Sequence, residues 1–122
     1  MIEGNKIVSI LINHYDVNYI NIKYKQMDDF AYFNVDDSEL QLNKKYKSLE
    51  RSQIKEFLIT VLHEIYHAMD SKRYGKENFK ERYEMEMNWL VTMGYSLNDN
   101  RYELDAESFG RENWKMWKKE LV

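Results

Sequence analysis

Residues 56–70 read EFLITVLHEIYHAMD, and this stretch decides how the rest of the chain is interpreted. Its apolar residues belong to a longer series at helical spacing, which predicts an α-helix over about residues 53–73. Ser52 is the expected N-cap of this helix and Gly75 its expected stop signal. The apolar series forms one stripe, as in a helix that packs one side into a core: Ile54, Phe57, Leu58, Val61, Leu62, Ile65 and Met69.

Two histidines and a glutamate interrupt the stretch in the pattern HExxH, at His63, Glu64 and His67. At about 100° per residue, both histidines project from the side opposite the stripe. That side carries few long charged side chains, so we expect it to line a cleft. Two imidazoles one helical turn apart can bind the same zinc ion, and Glu64 beside them can act as a general base. The alternative is that both histidines serve only packing or surface pairing.

A catalytic zinc site needs a third protein ligand. The metzincin pattern HExxHxxGxxH is excluded, because Asp70 and Arg73 occupy its glycine and third-histidine positions. The remaining histidine, His14, has no supporting pattern, and we interpret it as a structural or surface residue. Acidic candidates lie in residues 100–117, where a helix would present one shared face: Glu103, Ala106, Glu107, Gly110, Trp114 and Trp117.

Two small residues on that face, Ala106 and Gly110, favour the close approach of another backbone. A glycine inside a helix costs about 1 kcal/mol relative to alanine, which indicates a packing reason for Gly110. The face would then bring its carboxylates close to a neighbouring helix. From the residues alone, Glu103 and Glu107 are both candidates for the third ligand, and Asp105 is a candidate if the helix phase differs.

The remaining segments predict a single α+β domain over residues 1–122, because strands precede helices without an intervening linker. Residues 7–14 are predicted to form a strand, with a short helix as the alternative. Residues 19–25 are predicted to form a second strand. Residues 31–35 and 39–43 are predicted to form a hairpin around an acidic turn. A second helix is predicted over 77–93, ending at Gly94, and a third from residues 98–100 to about 119.

HEIYH at 63–67 followed by ELDAE at 103–107 resembles the gluzincin metallopeptidases, in which HExxH precedes a glutamate on a later helix. The form is most similar to the E-x-x-A-D pattern of the CAAX-processing peptidases and the soluble minigluzincins. The resemblance covers about residues 52–118. It implies a minimal zincin-like domain, with a small N-terminal sheet or hairpin on the active-site helix, that hydrolyses peptide bonds with one zinc ion.

The resemblance also implies a role for each matching residue. His63, His67 and Glu103 would bind the zinc ion. Glu64 would act as general base and acid, taking a proton from a zinc-activated water and passing it to the leaving amine. Glu107 stands where the family has an aspartate that supports a histidine ligand, and it is one methylene longer.

Two further features are implied by the resemblance. An edge strand, residues 39–43 or 31–35, would pair with an extended peptide or protein substrate. Tyr95 or Tyr102 could donate to the tetrahedral intermediate, as a tyrosine or histidine does in larger gluzincins; the alternative for each is a packing role, and we assign no residue to this task. Because larger gluzincins wall the cleft with a second domain, a partner chain is an alternative means of completing this one.

Composition limits the other function classes. The chain has 122 residues, a net charge of −3 and no cysteine, which favours a small cytoplasmic protein without a disulfide framework or thiolate site. No secretory leader, membrane span or basic face is expected, so we predict neither membrane nor nucleic-acid partners. The alternative to a peptidase is a zinc-binding interaction or regulatory module with the same fold and little hydrolytic activity.

Overall fold

The computed structural model describes residues 2–122, which form four α-helices and short β-strands in an α+β arrangement. Three short 3-10 turns connect them, at Lys44–Tyr46, Arg51–Gln53 and Leu97–Asp99. The strands and helices, in chain order, are β1 (Ile2–Glu3), α1 (Gly4–His14), β2 (Asn21–Lys25), β3 (Ala31–Asn34), β4 (Glu39–Asn43), β5 (Ser48–Leu49), α2 (Ile54–Tyr74), α3 (Lys76–Met93) and α4 (Arg101–Leu121).

The three longer strands form a sheet in the order β2-β4-β3. The predicted hairpin is confirmed, since β3 and β4 pair antiparallel with Phe33 opposite Leu40. The prediction that residues 39–43 provide an edge strand is wrong, because β2 pairs with the other side of β4 in parallel. Within residues 2–122, β3 has one neighbouring strand and is therefore an edge of the sheet.

Residues 7–14 belong to helix α1, so their prediction as a strand is wrong and the alternative of a short helix is confirmed. Their buried residues are Ile7, Val8, Leu11 and Ile12, which lie on one helical face. Spacing of i, i+1, i+4 and i+5 matches a helix packed on a core. Burial of that face outweighs the strand preference of the β-branched residues.

Helix α2 matches the predicted helix closely, and its apolar stripe is buried in the core except for Met69, which is partly buried. The helix ends at Gly75, which has a φ of 82°. Ser52 is not its N-cap, because it lies within the 3-10 turn Arg51–Gln53. The turn itself is closed by a capping box between Glu50 and Gln53.

Helix α4 packs along α2, and the two backbones approach closely at Gly110. A Cβ atom added at Gly110 would lie 2.6 Å from the backbone oxygen of Ile59. The predicted packing face of α4 is confirmed, since Ala106, Gly110 and Trp117 are buried. The Trp117 indole donates a hydrogen bond of 2.8 Å to the Tyr15 hydroxyl, which joins α4 to the end of α1.

Replacing Gly110 with alanine is expected to destabilise the protein by about 1–3 kcal/mol. Alanine gains about 1 kcal/mol of helix propensity, but the clash with the Ile59 backbone cannot be relieved by rotating a side chain. Urea denaturation measures the difference, with Ser108→Ala on the exposed side of α4 as the control. Unchanged or increased stability of Gly110→Ala would show that the two helices do not meet here.

Helix α3 ends at Gly94 as predicted, where the backbone is left-handed with a φ of 77°. It buries only Phe79 and Leu90, so most of its surface is accessible. Within residues 2–122, no helix combines the length and apolar character that crossing a membrane requires.

Candidate metal centre

Helices α2 and α4 bring together three side chains that were predicted as metal ligands, His63, His67 and Glu103. One ligand atom from each lies within 4.8 Å of the others. The two histidine Nε2 atoms are 3.1 Å apart. The carboxylate of Glu103 places Oε1 2.5 Å from His67 Nε2 and Oε2 3.6 Å from His63 Nε2. Each histidine therefore faces one carboxylate oxygen.

The donor set and its spacing fit a zinc ion. Two imidazoles and one glutamate form the His₂Glu ligand set of several catalytic zinc sites, which leave a fourth position for water or substrate. Ligand atoms at tetrahedral corners about 2.0–2.1 Å from zinc are about 3.3 Å apart. The two Nε2 atoms, 3.1 Å apart, are close to this value, and one ligand atom from each of the three residues lies within 4.8 Å of the others.

The ionisable groups of the cluster shift one another's pKa values. Hydrogen bonds to His63 and His67 hold the pKa of Glu103 well below its usual range. Burial by itself would lower the pKa of His63, but the hydrogen bond to Glu103 and the charges of Glu64 and Glu103 outweigh it, so the pKa is raised. Protons therefore compete with a metal ion for the histidine nitrogens, and metal binding should strengthen as pH rises.

Glu64 lies beside the ligand cluster and is buried, with 8% of its surface exposed. Its Oε1 accepts a hydrogen bond of 3.2 Å from the backbone N–H of Phe33 on the edge strand β3. Burial raises the pKa of Glu64, although both histidines and this hydrogen bond oppose the shift. A carboxylate whose pKa lies closer to neutrality is a more effective general base.

Glu107 contacts the outer nitrogen of one histidine. Its Oε2 lies 3.1 Å from His63 Nδ1, and its Oε1 accepts a hydrogen bond of 2.8 Å from Arg111 Nε. When the first contact is an Nδ1–H donor bond, the Nε2 lone pair is left facing the ligand cluster. His67 differs, because its buried Nδ1 has no hydrogen-bond partner within residues 2–122. Asp105, the alternative ligand, is exposed and lies outside the cluster.

A cleft of about 310 Å³ opens beside these groups, and Glu64, His67 and Glu103 contribute to its lining. The edge strand supplies one wall, through Tyr32 and Phe33. Helix α3 supplies the other wall: Phe79, Lys80, Tyr83 and Glu84. The prediction that the histidine side of α2 faces a cleft therefore holds for His67, whereas Ile59 on the same side is covered by α4.

The two walls are connected through the acidic turn of the hairpin. Lys80 on α3 donates a hydrogen bond of 2.5 Å to Asp36 Oδ1, and Lys76 donates to the backbone oxygen of Asp36. The Lys80 hydrogen bond lowers the pKa of the Asp36 carboxyl. Exposed pairs of this kind contribute little to stability.

Tyr83 on α3 lines the cleft together with Glu64, His67 and Glu103, and the sequence did not single it out. Burial and the charges of Glu103 and Glu64 raise its pKa to about 12, so the phenol is protonated at neutral pH. The two tyrosines considered from the sequence lie elsewhere: Tyr95 is exposed and stacks on Trp89, and Tyr102 is buried behind the ring of Tyr83. Neither lines the cleft.

His14 lies outside the candidate metal centre, as expected. Its ring makes edge contacts with Tyr15 and Trp117 at the end of α1, with ring centroids 4.8 Å apart in both cases.

No family model matches the chain, and comparisons with curated proteins and with solved structures gave no match.

Proposed function

We propose that the chain is a zinc-dependent peptidase with a zincin-like fold, similar to the minimal gluzincins. The observation that carries this proposal is the position of Glu64, which is buried beside His63, His67 and Glu103 at the base of a cleft. A structural zinc site has no use for a fourth ionisable group held next to its ligands. A hydrolytic site requires one.

His63, His67 and Glu103 would hold the ion. When bound, zinc supplies a Lewis acid that lowers the pKa of a coordinated water and polarises the substrate carbonyl. Glu64 takes a proton from the attacking water as its oxygen forms a bond with the carbonyl carbon. The protonated Glu64 then delivers that proton to the amide nitrogen as the carbon–nitrogen bond breaks, which gives a carboxylate and an amine.

The contact between Phe33 and Glu64 supports this assignment. The Phe33 N–H fixes Oε1, so the second carboxylate oxygen is the one available to the attacking water. The same contact positions the edge strand directly beside the general base. Because alternate residues of an antiparallel edge strand point their backbone groups outward, the Phe33 carbonyl is available to an extended peptide.

Tyr83 would donate a hydrogen bond to the oxygen on which negative charge develops. Its phenol is partly buried and protonated at neutral pH, and Tyr83 lines the same cleft as Glu103 and Glu64. The Tyr83 ring packs edge-on against the ring of Phe79 and in a tilted arrangement against the ring of Tyr102, which restricts its position. A fixed donor in a partly dry site stabilises developing charge without reorganisation during the reaction.

Helix α3 supports activity without a partner domain. It provides the wall opposite the edge strand, and its aromatic side chains give the cleft an apolar lining. We therefore propose that the substrate is an unfolded or extended segment of a polypeptide, with an apolar side chain next to the scissile bond.

Metal removal tests the proposal. The purified chain is expected to hold one zinc ion and to cleave a quenched peptide library; dialysis against a chelator should abolish cleavage, and zinc should restore it. Zinc content is measured by atomic absorption and the fold by circular dichroism. A chain that binds zinc and stays folded but cleaves no peptide would instead support an interaction or regulatory module.

A further inference from the structure

A chain of two contacts runs from His63 outward to the surface of α4. His63 Nδ1 lies 3.1 Å from one oxygen of Glu107, and Arg111 Nε donates to the other oxygen at 2.8 Å. Glu107 and Arg111 are four residues apart on the same helix, so the contact needs no distortion of the backbone. Both oxygens of the Glu107 carboxylate are thus engaged.

The length of Glu107 explains why the second contact matters. Its side chain has one more rotatable bond than the aspartate found at the matching position of similar motifs, and it is 41% exposed. A freely rotating glutamate would spend much of its time in water rather than at His63. The planar guanidinium of Arg111 restricts the carboxylate to the orientation in which Oε2 meets Nδ1.

We propose that Arg111 is a positioning residue of the metal centre, which acts through Glu107 to hold the His63 ring with Nε2 towards the ion. The inference rests on the proposed function, since it requires that His63 binds zinc. The exposed arginine would hold in place a glutamate that stands where similar motifs have the shorter aspartate.

A positioning role and a simple charge effect of Arg111 predict opposite changes in zinc affinity when the arginine is removed. A positive charge close to a cation site weakens cation binding, so its loss should strengthen the binding of zinc. Loss of positioning should weaken it, because a carboxylate partner of a ligating histidine typically changes metal affinity by 10–100-fold. The sign of the change therefore separates positioning from a simple charge effect.

The experiment measures zinc affinity by competition with a chromophoric chelator. Arg111→Met is expected to raise the dissociation constant by about three- to tenfold, less than loss of the direct partner Glu107 would. In the background of Glu107→Ala, adding Arg111→Met should cause no further weakening, since the arginine acts through that carboxylate. A nitrogen-15 NMR spectrum of the histidines should also show the Nδ1–H signal of His63 broadened by Arg111→Met.

Arg101→Met provides the matched control, because Arg101 is an exposed arginine of α4 that pairs with Glu86 and does not contact Glu107. It should change the zinc affinity less than twofold. Zinc binding by Arg111→Met that equals or exceeds that of the wild type would overturn the inference and leave the proposed function standing. A wild-type chain that binds no zinc would overturn both.

Discussion

Replacing Glu64 with glutamine is expected to abolish peptide hydrolysis while zinc binding and the fold are retained. The amide oxygen can still accept the hydrogen bond from the Phe33 N–H, so the side chain keeps its place. The amide cannot take a proton from water, and loss of a positioned general base reduces rates by about 10²–10⁴-fold. The measurement is kcat/KM on a quenched peptide, together with zinc content.

The matched control for this change is Glu56→Gln, which removes the same charge from an exposed position of α2. Its activity should equal that of the wild type. Because Glu64 is buried and burial raises its pKa, removing its charge should not destabilise the protein, so lost activity cannot be attributed to unfolding. Hydrolysis by Glu64→Gln within tenfold of the wild type would show that another group moves the proton.

Local patterns were sufficient to predict most of the helices and the hairpin. The apolar stripe of α2 extends over several turns, and Gly75 and Gly94 end their helices because both adopt a positive φ. Residues 7–14 show where such patterns are ambiguous. A short run rich in Ile and Val satisfies either period, and here packing against the core favours the helix.

The order of the strands could not be predicted in the same way. The hairpin follows from two alternating segments around an acidic turn, but the side of the hairpin on which β2 pairs depends on the whole fold. Because β2 lies along β4 in parallel, β3 is left as the strand beside Glu64. The choice between residues 31–35 and 39–43 as the edge strand is thus decided by tertiary structure.

The candidate site likewise contains some residues that local sequence patterns predict and others that only the tertiary structure reveals. The spacing of His63 and His67 is fixed by one helical turn, and the face shared by Glu103 and Glu107 is fixed by another. Tyr83 and Arg111 could not be found from the sequence, because one of ten tyrosines and one arginine beside a glutamate carry no distinctive pattern. Their relevance arises only when α3 and α4 dock beside α2.

The packing of α4 on α2 brings the two separate motifs together into one candidate metal centre. Gly110 allows α4 to approach the Ile59 backbone, and one and two turns earlier the helix presents Glu107 and Glu103 to the histidines. The arrangement of the candidate ligands therefore depends on a glycine that is not one of them. A longer distance between the helices would separate Glu103 from both imidazoles.

Replacing Glu103 with glutamine is expected to weaken zinc binding by at least about 100-fold, because it removes a ligand rather than an outer partner. The amide has nearly the same shape, but it is neutral and a poor ligand for zinc. It also removes the charge that holds the pKa of His63 up. With a lower pKa, His63 of the variant is less often protonated, so protons compete less with zinc. This partly offsets the lost ligand at acidic pH, and the weakening should therefore be largest near neutral pH.

Asp105→Asn is the matched control, since it removes one negative charge two residues further along α4 from an exposed position outside the cluster. Long-range attraction between a carboxylate and the ion is screened in salt, so this variant should bind zinc within about threefold of the wild type. Competition with a chromophoric chelator at neutral pH measures both. Zinc retained by Glu103→Gln but lost from Asp105→Asn or Glu107→Gln would assign the third ligand to a different carboxylate of α4.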